Sequence, residues 1–302
     1  MGAVISGQAG VRSAWLVLGA NTVPLESVPG GWFCSSLDLG YPEVREVIGN
    51  RPDTDGAIDR TALMGARVVT AAIKAVTGAG ARIDDVADNF APFMVPGARP
   101  VLHYILDRPG AAERTLTLRA VGYAWAIAGG LERDIQLQWK AADPIVRDPA
   151  VQTVIALAGA SGGTGRVYPL VYSRTYPVGS GSSSTATITS PGDVPVRPLL
   201  NIYGPITAPV VTFTPTVGPV TRVAFVSAFR VDAGNYVQVD TVNKTAYLNG
   251  PGGASALAYL DWFNTAWPVL PTLPASTTMG LAGGSTTGAT QVQAVYSDGY
   301  LT

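Results

Sequence analysis

Pro198 and the pair Gly204-Pro205 fence the apolar run Leu199-Leu200-Asn201-Ile202-Tyr203. That punctuation limits what the second half of the chain can become. Proline fixes φ and has no N–H, so no helix can run through either flank, and a proline within a central β-ladder would break it. The run therefore reads as an edge strand, or as the first strand into a new domain. The residues that follow agree with a β fold. From Gly192 onward glutamate is absent, and the only charges are Asp193, Arg197, Arg222, Arg230, Asp232, Asp240, Lys244, Asp261 and Asp298. Short β-rich runs recur between turns at Val220–Ala228, Tyr236–Asp240, Thr245–Leu248, Met279–Ala282 and Gln291–Tyr296. Spacing of this kind predicts a β-sandwich or jelly roll.

The first half is also extended, with one exception. Trp15–Leu18 ends at Gly19-Ala20-Asn21, and Trp32-Phe33-Cys34 follows Pro29-Gly30-Gly31. The β-branched residues of Met64–Val76 favour strand over helix. The exception is the span 83–94. Asp84 can cap a helix there, Asp85 complements its dipole, and Val86, Phe90 and Phe93 fall on one face. Pro92 weakens the last turn and Pro96-Gly97 ends it. Val101–Leu106 and Arg114–Val121, joined by Asp107-Arg108-Pro109-Gly110, alternate with period two and predict an antiparallel hairpin. Asp134–Lys140 alternates again, with Ile135, Leu137 and Trp139 on one face. Thr153–Ala158 and Arg166–Tyr176 read as strands, and Gly179–Ser184 as a flexible polar tip. The organisation expected is a domain over 1–150 with its helix near 83–94, connecting strands and a flexible tip over 151–190, and a second domain over 191–302.

Composition excludes several classes of function. Length, 302 residues, suits about two domains. Charged residues make up 14%, low for a soluble domain, and hydrophobic residues 47%. The most apolar run, Ala120–Leu131, is too short to span a bilayer and contains three glycines. No basic segment followed by an apolar one marks a secretion signal, since Arg12 interrupts where the apolar run would continue. Net charge is −1, so no cationic surplus for nucleic acid exists. Cys34 and His103 are the only residues of their kinds, which rules out a disulfide framework or a Cys/His zinc site within one chain. A charge-poor surface fits burial in an assembly, and it fits equally a surface of small Ala, Gly, Ser and Thr side chains.

The best catalytic candidate is Gly159-Ala160-Ser161-Gly162-Gly163, a G-x-S-x-G pattern preceded by the strand-like Val154-Ile155-Ala156-Leu157. Its context fails. The residues after Ser161 are β-like where a helix should stand, and His103 precedes the serine where the hydrolase base should follow it. A serine hydrolase using Ser161 is accordingly a remote alternative. Asp240 and Asp261 sit in turns, with nothing to bring them together as a glycosidase pair. Asn243-Lys244-Thr245 matches a glycosylation sequon but reads better as a hairpin turn. Tyr259, Trp262, Phe263 and Trp267 form an aromatic cluster that could stack on sugars or serve as core or interface anchors. The expectation is a non-enzyme with no catalytic, cofactor or metal residues.

The order of several pieces resembles the distal tail proteins (minor tail proteins) of long-tailed siphovirus bacteriophages. In the first domain the resemblance rests on Asp55-Gly56-Ala57 ahead of Gly65-Ala66-Arg67-Val68-Val69, on Pro96-Gly97-Ala98-Arg99, on Arg114–Arg119, and on Ile135–Trp139 running into Ala142-Asp143-Pro144. In the second it rests on Gly192-Asp193, Val196-Arg197-Pro198, Ile202–Ile206, Pro209-Val210, Trp262-Phe263 and Val295–Leu301. The turn after Trp262-Phe263 departs from the family pattern, as does the continuation Ile145-Val146-Arg147. The resemblance implies a mainly β protein: an N-terminal β-barrel-like or sandwich domain with one helix, and a C-terminal galectin-like β-sandwich. It further implies a structural virion protein of the tail tip or baseplate, made in the host cytoplasm and assembled as a homohexameric ring. Such a ring joins the tail tube protein to the tail-tip hub or tail-associated lysin-like protein, with the tape measure protein as a further partner. Its lumen passes DNA without specific nucleic-acid binding, and it neither inserts in a membrane nor needs a cofactor. The alternative is a carbohydrate-binding module of a virion adhesion device, acting through Trp262 and Trp267.

Overall fold

The computed structural model describes residues 11–26, 31–45, 48–50, 57–59, 63–76, 83–129, 132–158 and 185–301. The chain divides into two compact units, residues 1–149 with 300–302, and residues 150–299. Both are mainly antiparallel β.

The first unit begins with β1 (Val11–Leu18), β2 (Asn21–Pro24) and β3 (Trp32–Asp38). Four short strands follow, β4 (Val44–Arg45), β5 (Ile48–Asn50), β6 (Ala57–Asp59) and β7 (Leu63–Met64), of which β4 pairs with β7 and β5 with β6. Then come β8 (Arg67–Val76), the helix α1 (Ile83–Phe90) with a 3-10 turn at Ala91–Met94, and β9 (Val101–Leu106), β10 (Glu113–Thr117), β11 (Arg119–Gly129), β12 (Glu132–Ala141) and β13 (Val146–Arg147). The larger sheet runs β2-β1-β9-β10-β13, and the smaller runs β11-β12-β8-β3. Leu16, Leu102, Tyr104 and Leu116 of the larger sheet, Ile73, Ile135, Leu137 and Trp139 of the smaller, and Val86, Phe90 and Phe93 of the helical segment form one buried core. The helix face read from the sequence is thus the buried one. Trp32 meets Phe90 edge-on at 5.9 Å between ring centroids. The indole of Trp139, fully buried, points its N–H at the Phe93 carbonyl.

The sequence predicts one strand over Arg114–Val121, and here the structure differs. The chain leaves β10 and enters β11 at Leu118, so the two halves of that run belong to different sheets. Leu118 is buried and donates its N–H to the Pro100 carbonyl at 2.7 Å. Alternation continues unbroken across this switch, because both sheets face the same core.

The second unit contains β14 (Gln152–Leu157), β15 (Thr185–Thr189), β16 (Leu199–Tyr203), β17 (Ile206–Pro215), β18 (Thr221–Ala224), β19 (Arg230–Val231), β20 (Tyr236–Asp240), β21 (Thr245–Leu248), β22 (Ser276–Gly284) and β23 (Gln291–Tyr296). One sheet runs β14-β23-β16-β20-β21 and the other β15-β22-β17-β18. Leu200, Ile202, Val237, Val239 and Val292 of the first pack with Val211, Phe213, Val223 and Met279 of the second around one core, so this unit is a β-sandwich. The run Gly159–Ser184, including the expected strand Arg166–Tyr176 and the polar tip, lies outside the described residues. Val220–Ala228 is extended only over β18.

Leu199–Tyr203 is neither an edge strand nor the first strand of its unit, the two positions expected, since β14 and β15 precede it there. β16 is the central strand of its sheet, paired on one side with β20 and on the other with β23. Both prolines fall just outside the paired residues, so neither removes a ladder hydrogen bond. The residue that follows the strand, Gly204, must be glycine for a steric reason. A Cβ there would lie 2.3 Å from the Asp232 carbonyl oxygen and 2.4 Å from that of Val231. Inside β17, Pro209 is accommodated where the register with β22 shifts between Thr207 and Val210, with Ala208 at φ 49°.

A last strand, β24 (Gly299–Tyr300), returns the C-terminus to the larger sheet of the first unit. The buried Arg67 guanidinium donates to the Leu301 carbonyl, and the Arg114 guanidinium carbon lies 3.3 Å from the Tyr300 ring centroid.

Candidate functional site

The residues the sequence singles out for chemistry are held in structural roles or lie outside the described part of the chain. Ser161 and its glycine-rich surroundings belong to the latter. His103, on β9, stacks on Trp15 with centroids 5.5 Å apart, and its Nδ1 sits 2.5 Å from Glu113 Oε1 on the neighbouring β10. Cys34 is buried and donates its thiol to the Ser36 carbonyl. Burial pushes that thiol up to about 12, so it stays protonated and unreactive at neutral pH. Asp240 accepts hydrogen bonds from the backbone N–H groups of Val242 and Asn243 at 2.8 and 2.9 Å. It thereby closes the β20–β21 hairpin in which the sequon residue Asn243 sits. Among the described residues no group of three His, Cys, Asp or Glu side chains could hold a metal, and no helix is long and apolar enough to cross a membrane.

Two surfaces stand out. One is the aromatic loop of the sandwich. Phe263 is fully exposed, while Trp262 and Tyr259 are about half-exposed. Trp262 meets Trp267 edge-on at 6.3 Å, and Tyr259 leans on Phe229 at 5.2 Å, which in turn stacks on Phe225. The loop is held rigidly from beneath. Asp261 donates its N–H to Ala224, Ala266 donates to Arg222, and the Arg222 side chain grips both the backbone and side-chain oxygens of Asn264. Asn264 in turn donates its amide to Asp261 Oδ2 at 2.6 Å. That side-chain bond is the leading reason the Asp261 carboxyl lies below its ordinary range. The polar groups nearest the exposed rings are therefore already engaged with each other.

The other surface is a cleft of about 960 Å³ in the first unit. Arg45, Arg99, Arg119 and Lys140 stand around it, with Glu43 and Asp143 as the only carboxylates among the described residues. Met64, Ala66, Leu118, Ala120, Val121 and Ala142 supply its apolar lining. Asp143 is taken up by Arg147 at 2.8 Å and by the Ile145 N–H. Among the described residues, none of the four cations has a hydrogen-bond or ion-pair partner. Sequence reading does not find this cleft, because its cations come from β4, the loop after the helix, β11 and β12. Only the strand register brings them together: Arg119 lies directly opposite Lys140.

Beside the cleft, the smaller sheet of the first unit is open. Its terminal strands, β11 and β3, each pair on one side only among the described residues. Part of its outward face is a shallow groove of small or neutral polar residues, Ser36, Thr70, Ala72, Gly122, Ala124, Gln136 and Gln138, and the same face continues with the charged Lys74, Asp134 and Lys140.

No protein-family model matches the chain, and no curated protein matches its sequence. Solved structures do match. The Dit protein of phage SPP1, described as a paradigm of hub adsorption apparatus in Gram-positive infecting phages, superposes with a TM-score of 0.61 at 11% identity, over 95% of this chain and 99% of that one. A chain of the phage P2 baseplate in its activated conformation with Ca reaches a TM-score of 0.43 at 10% identity, over 92% and 100% respectively. The first likeness establishes a shared fold across nearly the whole chain.

Proposed function

We propose that this protein is a structural component of a long-tailed phage tail tip, a homohexameric ring that joins the tail tube to the tail-tip hub or baseplate and leaves a channel for DNA. The observation that carries this reading is the fold likeness to the SPP1 hub protein, which spans 95% of this chain and 99% of that one. It agrees with the family resemblance read from the ordered motifs. The open sheet supports it as well. A heterologous contact that closes into a ring needs two different, complementary surfaces on each subunit. The edges of β11 and β3, unpaired among the described residues, are two such surfaces, and an unpaired strand edge calls for a partner strand or a cover.

The same reading makes the protein a non-enzyme located in the virion, with the tail tube protein and the hub as its neighbours. His103, Cys34, Asp240 and Asp261 are each committed to local packing or turns. The exposed aromatics of residues 259–263 fit a protein anchor better than a sugar platform. A sugar needs polar partners beside the ring, and here Asp261, Asn264 and Arg222 bond one another. Immunogold labelling of phage particles carrying this gene tests the proposal. Label confined to the tail tip is the expected result, and its absence from purified particles would overturn it.

A further inference from the structure

We infer that the cleft between β4, β7 and the start of β11 is a docking site for an acidic, partly apolar segment of a partner protein. The starting observation is an electrostatic conflict. Arg119 and Lys140 face each other across β11 and β12, both exposed and neither bonded to a carboxylate among the described residues. Like charges placed directly opposite one another destabilise a sheet. Arg45 and Arg99 add two further cations at the same cleft that are unpaired among the described residues. In a chain with 20 cations and a net charge of −1, gathering four of them with no partner among the described residues is a strong local asymmetry.

The lining decides between kinds of anion. A phosphate backbone is negative throughout, and it would be repelled by the Glu43 carboxylate inside the cleft. It would also gain little from Met64, Leu118, Ala120 and Val121. A peptide satisfies all of these. Its carboxylates meet the guanidinium forks, which match carboxylate geometry, its apolar side chains cover the lining, and an amide N–H or a basic side chain answers Glu43. Val121, 58% exposed, lies where the register of β11 on β12 shifts, so its side chain is available to such a segment. The inference rests on the charge and lining of the cleft alone, whether or not the protein forms a ring.

Fluorescence anisotropy with the full chain tests it. The probe is a labelled short peptide alternating glutamate with valine, and the comparisons are the same peptide with lysine for glutamate and a single-stranded oligonucleotide. Saturable binding of the glutamate peptide alone is expected, weakened by salt. Arg119→Gln combined with Lys140→Gln should lower the affinity about tenfold. Arg45→Gln combined with Arg99→Gln alters the rim elsewhere and should weaken binding in the same way, so it decides the matter if the first pair fails to fold. Absence of saturable binding, binding of the oligonucleotide or lysine peptide as tightly as the glutamate peptide, or unchanged affinity in the folded variants would overturn the inference.

Discussion

Arg67 shows how a single residue ties distant sequence together. It is almost fully buried, and its Nη2 donates to the Leu301 carbonyl, while its Nε and the nearby Tyr104 hydroxyl have no partner among the described residues. Burial is the leading reason its pKa falls below the ordinary value. Replacing it with alanine leaves the Leu301 carbonyl unanswered and opens a cavity, a loss of about 2–4 kcal/mol. Urea unfolding should register this as a lower midpoint, and a loss under about 0.5 kcal/mol would contradict the role. Cys34 and Tyr104 make a second statement at this scale. Burial raises both pKa values, so the folded state favours their neutral forms. That contribution is fully present below the ordinary thiol value of 9.0 and is lost as pH rises from there toward about 12. Unfolding measured at increasing alkaline pH should show stability falling through this window, less steeply in Cys34→Ala. Identical slopes in the two proteins would contradict it.

Among the elements, what was legible in the sequence was what is local. Leu199–Tyr203, Tyr236–Asp240, Thr245–Leu248 and Gln291–Tyr296 are strands with the bounds read from alternation and turn residues. The helical span 83–94 also holds, with its last turn tightened to 3-10 geometry at Pro92. What was not legible is pairing. Prolines flanking β16 suggest an edge, yet the strand is central because the ladder needs N–H groups only between them. Alternation over Arg114–Val121 hides a change of sheet at Leu118. β15, built of Thr185, Ala186, Thr187, Ile188 and Thr189, carries one large apolar residue and gives little signal against its small polar neighbours. The cationic cleft was invisible for the same reason, since its four charges meet only through strand order. The aromatic loop was visible as a cluster, but that its polar groups are spent on one another is a matter of geometry.

At the scale of the whole molecule, the two units present different surfaces. The first has a sheet whose two terminal strands each pair on one side only among the described residues, and an apolar-floored cationic cleft. The second is a two-sheet sandwich with an exposed aromatic loop braced by its own hydrogen bonds. The proposed assembly assigns each a use: edges for neighbouring copies, and cleft and loop for other proteins. The low content of charge belongs to the same picture, since surfaces buried in assemblies are poor in charged residues. Native mass spectrometry of the purified full chain tests this account most directly. A hexamer that persists on dilution and dissociates when a proline is placed in β3 or β11 at an outward-facing N–H is the expected result. A strictly monomeric protein at concentrations up to the millimolar range would contradict it.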